Sequence, residues 1–504
     1  MQQVYKSRFN QLILTVFIIL QIWILNKYSH YTHFDEWVGR GLYPGIAFAK
    51  GFDLYEPETG PHVTSYGWTS ALFYSLSGFC NSPNLSISIA FWSNMIGFLA
   101  LLTFLNSQFL STRNIHSYLL LFAFSLTIIS LSLLDAVTIS IAKIHSDVPC
   151  TIYLISGNLL CTVGLLKRKN IFLYIGAFLL IFSVMAKLPT LPGILAPIIL
   201  FLITKEFKFI LTYILSLVVS LIICLGFVHL FYDLSDYFYY HANQTNTWGW
   251  VDRYNLFDGE GAKILKISYL EALPILFRFL VMYIQEYWYF VVFNIFIIFS
   301  YFFTKNKESL IFVLSVSYFL TLASCLAALA HWGAMHNALY ICNMIALIAI
   351  GSYFFNLVCI TKKKENFLFT LCFATTSTLL SLPVARYASK SPSIESSPYQ
   401  QAYEYLRKGN DDIYFGWYPI SHALYDGSNL TSIEVPIWVG MARDFDFAFN
   451  KDHFPLDADV FATCHVGYGS TALTPFLGEL EEIETPNELS HWRLFKIKGS
   501  DRPN

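Results

Sequence analysis

Apolar residues in this chain come in long blocks rather than in alternating or every-third positions, and short clusters of charge separate the blocks. A hydrocarbon layer about 30 Å thick is crossed by a helix of roughly 20 such residues, because a helix satisfies its own backbone hydrogen bonds. Windows of that length predict about eleven transmembrane helices, near residues 11–26, 85–110, 117–134, 149–166, 171–186, 189–204, 207–231, 287–303, 310–330, 338–360 and 367–385.

Sidedness follows from the Lys/Arg distribution, since short cytoplasmic loops hold the excess of positive charge. Lys6 with Arg8, Arg113, Lys167-Arg168-Lys169, Lys205 with Lys208, Lys305 with Lys307 and Lys362-Lys363-Lys364 fall at the N-terminus and on every second connection. These segments are expected in the cytoplasm. The opposite connections, residues 27–83, 135–147, 232–286 and 331–337, are expected outside, and an odd number of spans leaves the C-terminal tail there too. The first span lacks a small-residue cleavage site before Asn26 and reads as a retained anchor.

Beyond Ala385 the pattern changes to Ser- and Pro-rich sequence and then to ordinary polar density. The expected organisation is a membrane domain over 1–385, a linker over 386–398 and a small extracytoplasmic α/β domain over 399–504. Within the last, 399–408 predicts an amphipathic helix closed by Gly409, and 412–417 and 492–498 predict strands. In the first outward loop, residues 41–55 predict an amphipathic helix lying on the membrane surface.

Composition supports the class. Of 504 residues, 55% are hydrophobic and 13% charged, so lipid is the main solvent, and a net charge of −2 with no basic stripe argues against a nucleic-acid partner. Most of the nine cysteines lie inside apolar runs, which implies no disulfide framework.

The candidate chemistry collects on the expected outer face. His33-Phe34-Asp35-Glu36-Trp37 sets two adjacent carboxylates just beyond the first span, where acidic groups are functional candidates; the alternative is a helix cap. His145-Ser146-Asp147-Val148-Pro149 ends the second outward loop. Asp147 there reads either as a cap or, with His145, as part of a metal site. A divalent ion is a candidate cofactor only if Asp35 or Glu36 supplies a third donor. Lys187, before Leu188-Pro189, either snorkels to the interface or meets a lipid phosphate, and Arg278 is a second outward cation with the same alternatives. His336 and Asn337 add polar groups in the turn between two later spans.

A cytoplasmic N-terminus, a first outward loop opening with Asp35-Glu36 and continuing through a Gly-x-x-Leu-Tyr segment, and a second outward loop ending in Asp147 together resemble the GT-C superfamily of polyprenyl-phosphate-sugar-dependent glycosyltransferases. The protein mannosyltransferase and aminoarabinose-transferase branch and its bacterial relatives are the most similar. The resemblance covers residues 1–385. It implies a bacterial inner-membrane enzyme of cell-envelope glycan biosynthesis that moves a sugar from a polyprenyl-phosphate donor to a glycan, glycolipid or protein acceptor. Carried over, the base is Asp35 with Glu36 as its neighbour, and Asp147 is the second-loop acid. Lys187, in Ala186-Lys187-Leu188-Pro189, meets the donor phosphate with Arg278, and His145, His336 and Asn337 line the substrate. No Trp-Trp-Asp motif of oligosaccharyltransferases is present, which disfavours transfer of a preassembled glycan to asparagine.

Two other classes fit many spans and outward polar loops. A transporter or flippase of a lipid-linked glycan would place ionisable groups near the bilayer midplane, whereas nearly every charge here sits at a loop. An O-antigen ligase or polymerase would work from one late outward loop, for which 232–286 with His241, Trp248, Trp250, Asp252 and Arg253 is the candidate.

Overall fold

The computed structural model describes residues 2–29, 36–55, 67–110, 114–134, 140, 142–238, 250–252, 263–265, 267–304, 308–330, 336–360, 367–390, 397–409, 413–415, 419–425, 460–464 and 480–497. Among them, eight helices are long and apolar enough to cross a membrane, accompanied by three shorter apolar helices, Asn170–Ala186, Leu188–Ile203 and Leu368–Val384. The chain is a helical, multi-pass membrane protein.

In chain order, α1 (Gln2–Ser29) is followed by the short helices α2 (Glu36–Lys50) and α3 (Trp68–Tyr74) and a 3-10 turn (Ser75–Phe79), then by α4 (Pro83–Ser107) and α5 (Ile115–Ser132). Local sequence sets these starts. Ser82 accepts from the Leu85 amide with Pro83 in the first turn, and Asn114 accepts from the Ser117 amide at 2.8 Å. Next come α6 (Asp147–Lys167) and α7 (Asn170–Ala186), a 3-10 segment (Leu188–Leu195), α8 (Ala196–Ile203), α9 (Phe207–Phe231) and the short α10 (Leu234–Phe238). The strands β1 (Trp250–Asp252) and β2 (Lys263–Leu265) pair antiparallel. The bundle is completed by α11 (Leu273–Thr304), α12 (Ser309–Leu329), α13 (Tyr340–Ile360) and α14 (Phe367–Lys390).

The α6–α7 hairpin is what matters for the site. Arg168 turns the chain in the left-handed conformation (φ 55°), and the two helices then run antiparallel so closely that a Cβ on Gly176 would stand 2.8 Å from the Gly157 carbonyl oxygen. With 21 and 17 residues, the helices are ~30 and ~25 Å long, so the start of α6 is nearly level with the end of α7. Asp147 and Lys187 occupy those two ends.

Several expected boundaries shift. The span expected at 189–204 is divided, because Pro189 and Pro192 hold its first half as a 3-10 segment and Pro197 starts α8. The span expected from 287 begins at Leu273, and the non-helical backbone of Tyr287 (φ −118°, ψ 30°) separates a first limb that carries Arg278 and Glu286. The surface helix expected at 41–55 runs from Glu36 to Lys50, and α14 continues to Lys390, past the start expected for the linker.

At the C-terminal end, α15 (Pro398–Leu406), capped by Ser397, and α16 (Pro419–Tyr425) accompany a four-stranded sheet of order β3-β4-β6-β5. Its strands are β3 (Ile413–Tyr414), β4 (Val460–Cys464), β5 (Leu480–Ile483) and β6 (Trp492–Ile497); β3 and β4 are parallel and the other pairs antiparallel. The strand expected over 412–417 is confined to two described residues, while that expected at 492–498 matches β6. This unit sits on the bundle end that carries α2. Tyr403 Oη donates to the Asn81 carbonyl at 2.6 Å, Ser397 Oγ lies 3.1 Å from Asn84 Oδ1, and Leu42, Tyr43 and Ile46 of α2 share one buried cluster with Tyr399, Tyr414 and Ile420.

Candidate functional site

Asp147 is the first residue of α6 and is fully buried. Its Oδ2 lies 2.6 Å from Nδ1 of the equally buried His145, and its Oδ1 accepts from the Lys187 ammonium, whose side chain is 16% exposed. Both expected bland roles are thereby corrected. The Asp147 carboxylate engages these two side chains instead of capping α6, and the Lys187 head turns inward to the carboxylate instead of snorkelling away from it. The reason lies in the level ends of α6 and α7, which bring the two charges together where burial leaves neither enough water to be stable alone.

The charge state of His145 follows from the same burial. Desolvation is the dominant cause and pulls the imidazole down to about 4, against the opposing pull of Asp147. At neutral pH the ring is therefore uncharged, and the carboxylate beside Nδ1 selects the tautomer in which Nδ1 donates.

Neighbouring elements hold this corner in place. The Tyr74 hydroxyl is 3.0 Å from Asn94 Oδ1 and 3.2 Å from the His145 carbonyl oxygen, and Asn94 Nδ2 donates to the Lys143 carbonyl at 3.0 Å. Thr151 Oγ1 donates to the Asp147 carbonyl at 2.6 Å. On the other side, the Gly67 amide donates to the Ala186 carbonyl at 3.2 Å and Thr69 Oγ1 to the Phe182 carbonyl at 2.8 Å, which ties α3 to the turn that carries Lys187. The Trp68 ring stacks on Phe227 at 4.2 Å between centroids and meets Phe182 edge-on.

The first outward loop reaches the same place. At Gly41, α2 passes so close to the Ile144 carbonyl that no side chain would fit between them. Glu36 opens this helix five residues earlier, ~7.5 Å along its axis from the contact. The side chain of Glu36 and the whole of Asp35 lie outside the described residues.

The remaining sequence candidates divide. Arg278 is half-buried on α11, whose principal packing partners are α12 and α13, not the α6–α7 hairpin. His336 and Asn337 begin the 3-10 turn His336–Leu339 directly before α13, and their side chains lie outside the described residues. Among the described residues, no group of three His, Cys, Asp or Glu side chains could hold a metal ion. A cation at Asp147 would also have to displace the Lys187 ammonium. Sequence reasoning missed Tyr74 and Asn94, which fix the loop, and Tyr340 and Asn343 on α13. The one available signal was an asparagine within an apolar block, as at Asn94 and Asn343.

Comparison with known proteins gives no match: no family model fits the chain, and no curated protein or solved structure is significantly similar to it. Fold and site therefore define a polytopic helical membrane protein with a buried acid–base corner, made of His145, Asp147 and Lys187, at one end of its bundle.

Proposed function

We propose that the protein is a membrane glycosyltransferase of GT-C type, moving a sugar from a polyprenyl-phosphate donor to a cell-envelope glycan, lipid or protein acceptor. The observation that supports this reading is that Lys187 and Asp147 with His145, from two separate chain segments, pair at the end of the bundle where the helix that begins at Glu36 packs against Ile144. In this reading the corner and the C-terminal unit face the extracytoplasmic side of a bacterial inner membrane, the N-terminus is cytoplasmic, and the three shorter apolar helices complete eleven spans.

The reaction is a displacement at the anomeric carbon. The acceptor oxygen forms the new bond while its proton passes to Asp35, and the bond from the anomeric carbon to the phosphate oxygen breaks, leaving polyprenyl phosphate with the electron pair. Lys187 stabilises that developing charge. An ammonium has three donors, so it can hold Asp147 with one and present others to phosphate. Asp147 is then a positioning residue acting through Lys187, and His145 fixes Asp147 in turn. Arg278 and the His336–Asn337 turn are given no step.

The test is turnover of Asp35→Asn and Glu36→Gln in proteoliposomes, after mass spectrometry of envelope glycans with and without the gene has identified the product. Asparagine retains the capping ability of aspartate, so a mere cap predicts near-normal turnover. Loss of a general base lowers the rate on the order of 10²–10⁴-fold. Retention of more than about a tenth of wild-type turnover in Asp35→Asn removes the base assignment.

A further inference from the structure

Tyr340 opens α13 with a fully buried side chain whose hydroxyl has no hydrogen-bond partner among the described residues. Helix α13 packs against α6 and α4, and Tyr74, Asp147 and Cys150 are among the groups near enough to act electrostatically on Tyr340, which sets it in the neighbourhood of the His145–Asp147 corner. Asn343 lies one turn further along the same side of the helix and is also fully buried. Its Oδ1 accepts from the Tyr283 hydroxyl at 2.6 Å, while its Nδ2 has no partner among the described residues. Ser146, between His145 and Asp147 and only 3% exposed, likewise has an unpartnered hydroxyl there and does not cap α6.

Polar groups this deeply buried are normally paired, and unpaired ones at the two packed helices α6 and α13, near a reactive corner, are places where a partner can be met. The chemistry of the three groups narrows the partner. A hydroxyl, a phenol and a carboxamide hydrogen-bond well to hydroxyls, which both donate and accept; they do not neutralise a second charge. The nearby carboxylate of Asp147 is already neutralised by the Lys187 ammonium and hydrogen-bonded by the uncharged His145 ring, so it offers no counter-charge to an amino sugar.

We propose that Tyr340, Ser146 and Asn343 form a hydroxyl-reading subsite that takes the uncharged sugar ring of the donor whose phosphate meets Lys187. The proposal rests on the donor reading given above and names its substrate class: a neutral sugar, not a cationic or acidic one.

The experiment compares binding of polyprenyl phosphate with binding of polyprenyl-phosphate glucose and polyprenyl-phosphate mannose, by calorimetry on the purified full-length protein. Wild type should bind at least one sugar ester about tenfold or more tighter than the bare lipid phosphate. Tyr340→Phe, which removes only an unpaired hydroxyl and should keep the wild-type melting temperature, should lose about tenfold for that ester and nothing for the bare phosphate. Ser146→Ala should move in the same direction. Equal binding of ester and bare phosphate by wild type, or an unchanged ester affinity in Tyr340→Phe, overturns the subsite and leaves the donor reading standing. No binding of any of the three lipids by wild type overturns the donor reading and the subsite with it.

Discussion

Helix α6 carries an ion pair at each end, and the two pairs are built differently. Just past its last turn, the capping residue Arg168 and Glu206 form a two-pronged pair, with one contact at 2.7 Å and side chains 63% and 24% exposed. At its first turn Asp147 and Lys187 are 0% and 16% exposed, and His145 closes the remaining carboxylate oxygen. An exposed pair is screened by water and contributes little, whereas a buried pair must overcome the desolvation of both ions and is poor evidence for stabilisation. The buried corner is therefore the one that asks for a functional reason.

Breaking the buried pair by removing one member should have the largest effect. Asp147→Leu leaves the Lys187 ammonium partly buried beside an apolar group, for which about 3–5 kcal/mol of destabilisation is expected. Asp147→Leu combined with Lys187→Met removes both charges and should recover most of that loss in thermal or denaturant unfolding. Recovery of nothing would mean that His145 and the surrounding hydrogen bonds, not the charge pair, hold the corner.

A smaller effect is expected from acid. The unfolded imidazole titrates near 6.5 and the folded one at about 4, so between these values the unfolded state binds more protons and stability falls as pH is lowered. Asp147, Lys187 and Lys143 face the ring and modulate this against the dominant burial. In His145→Gln the part of the acid slope between about pH 6.5 and 4 that His145 contributes should vanish. An identical slope in both proteins would place the acid sensitivity elsewhere.

The smallest effect belongs to the other end of α6. Glu206→Gln should leave both melting temperature and turnover unchanged within error, because its partner Arg168 is largely solvated. A loss comparable to that of Asp147→Leu would erase the contrast between the two ends.

Much of the architecture was legible in the sequence because length and apolarity alone define a span: eight of the expected blocks coincide with described helices long and apolar enough to cross a membrane, and the other three with shorter apolar helices. The exceptions have local causes. Three prolines divide residues 189–204, and polar Arg278 and Glu286 mask the first limb of α11 from a hydropathy window. Asp147 and Lys187 were each legible as candidates, being charges beside apolar blocks. Their pairing was not, since it depends on the matched lengths of α6 and α7 and on the close Gly157–Gly176 contact rather than on proximity along the chain. Tyr74 and Tyr340 escaped because one hydroxyl on an aromatic side chain leaves no periodic trace. Asp35, on which the mechanism leans, lies outside the described residues.

The central claim is that Lys187, held by Asp147, serves the leaving phosphate, and turnover of the doubly neutral protein tests it most directly. Asp147→Leu with Lys187→Met should fold with near wild-type stability yet transfer sugar at a rate lower by on the order of 10²–10³. A folded double variant turning over within about tenfold of wild type would make the pair a structural tie like that of Arg168 and Glu206, and would contradict the account.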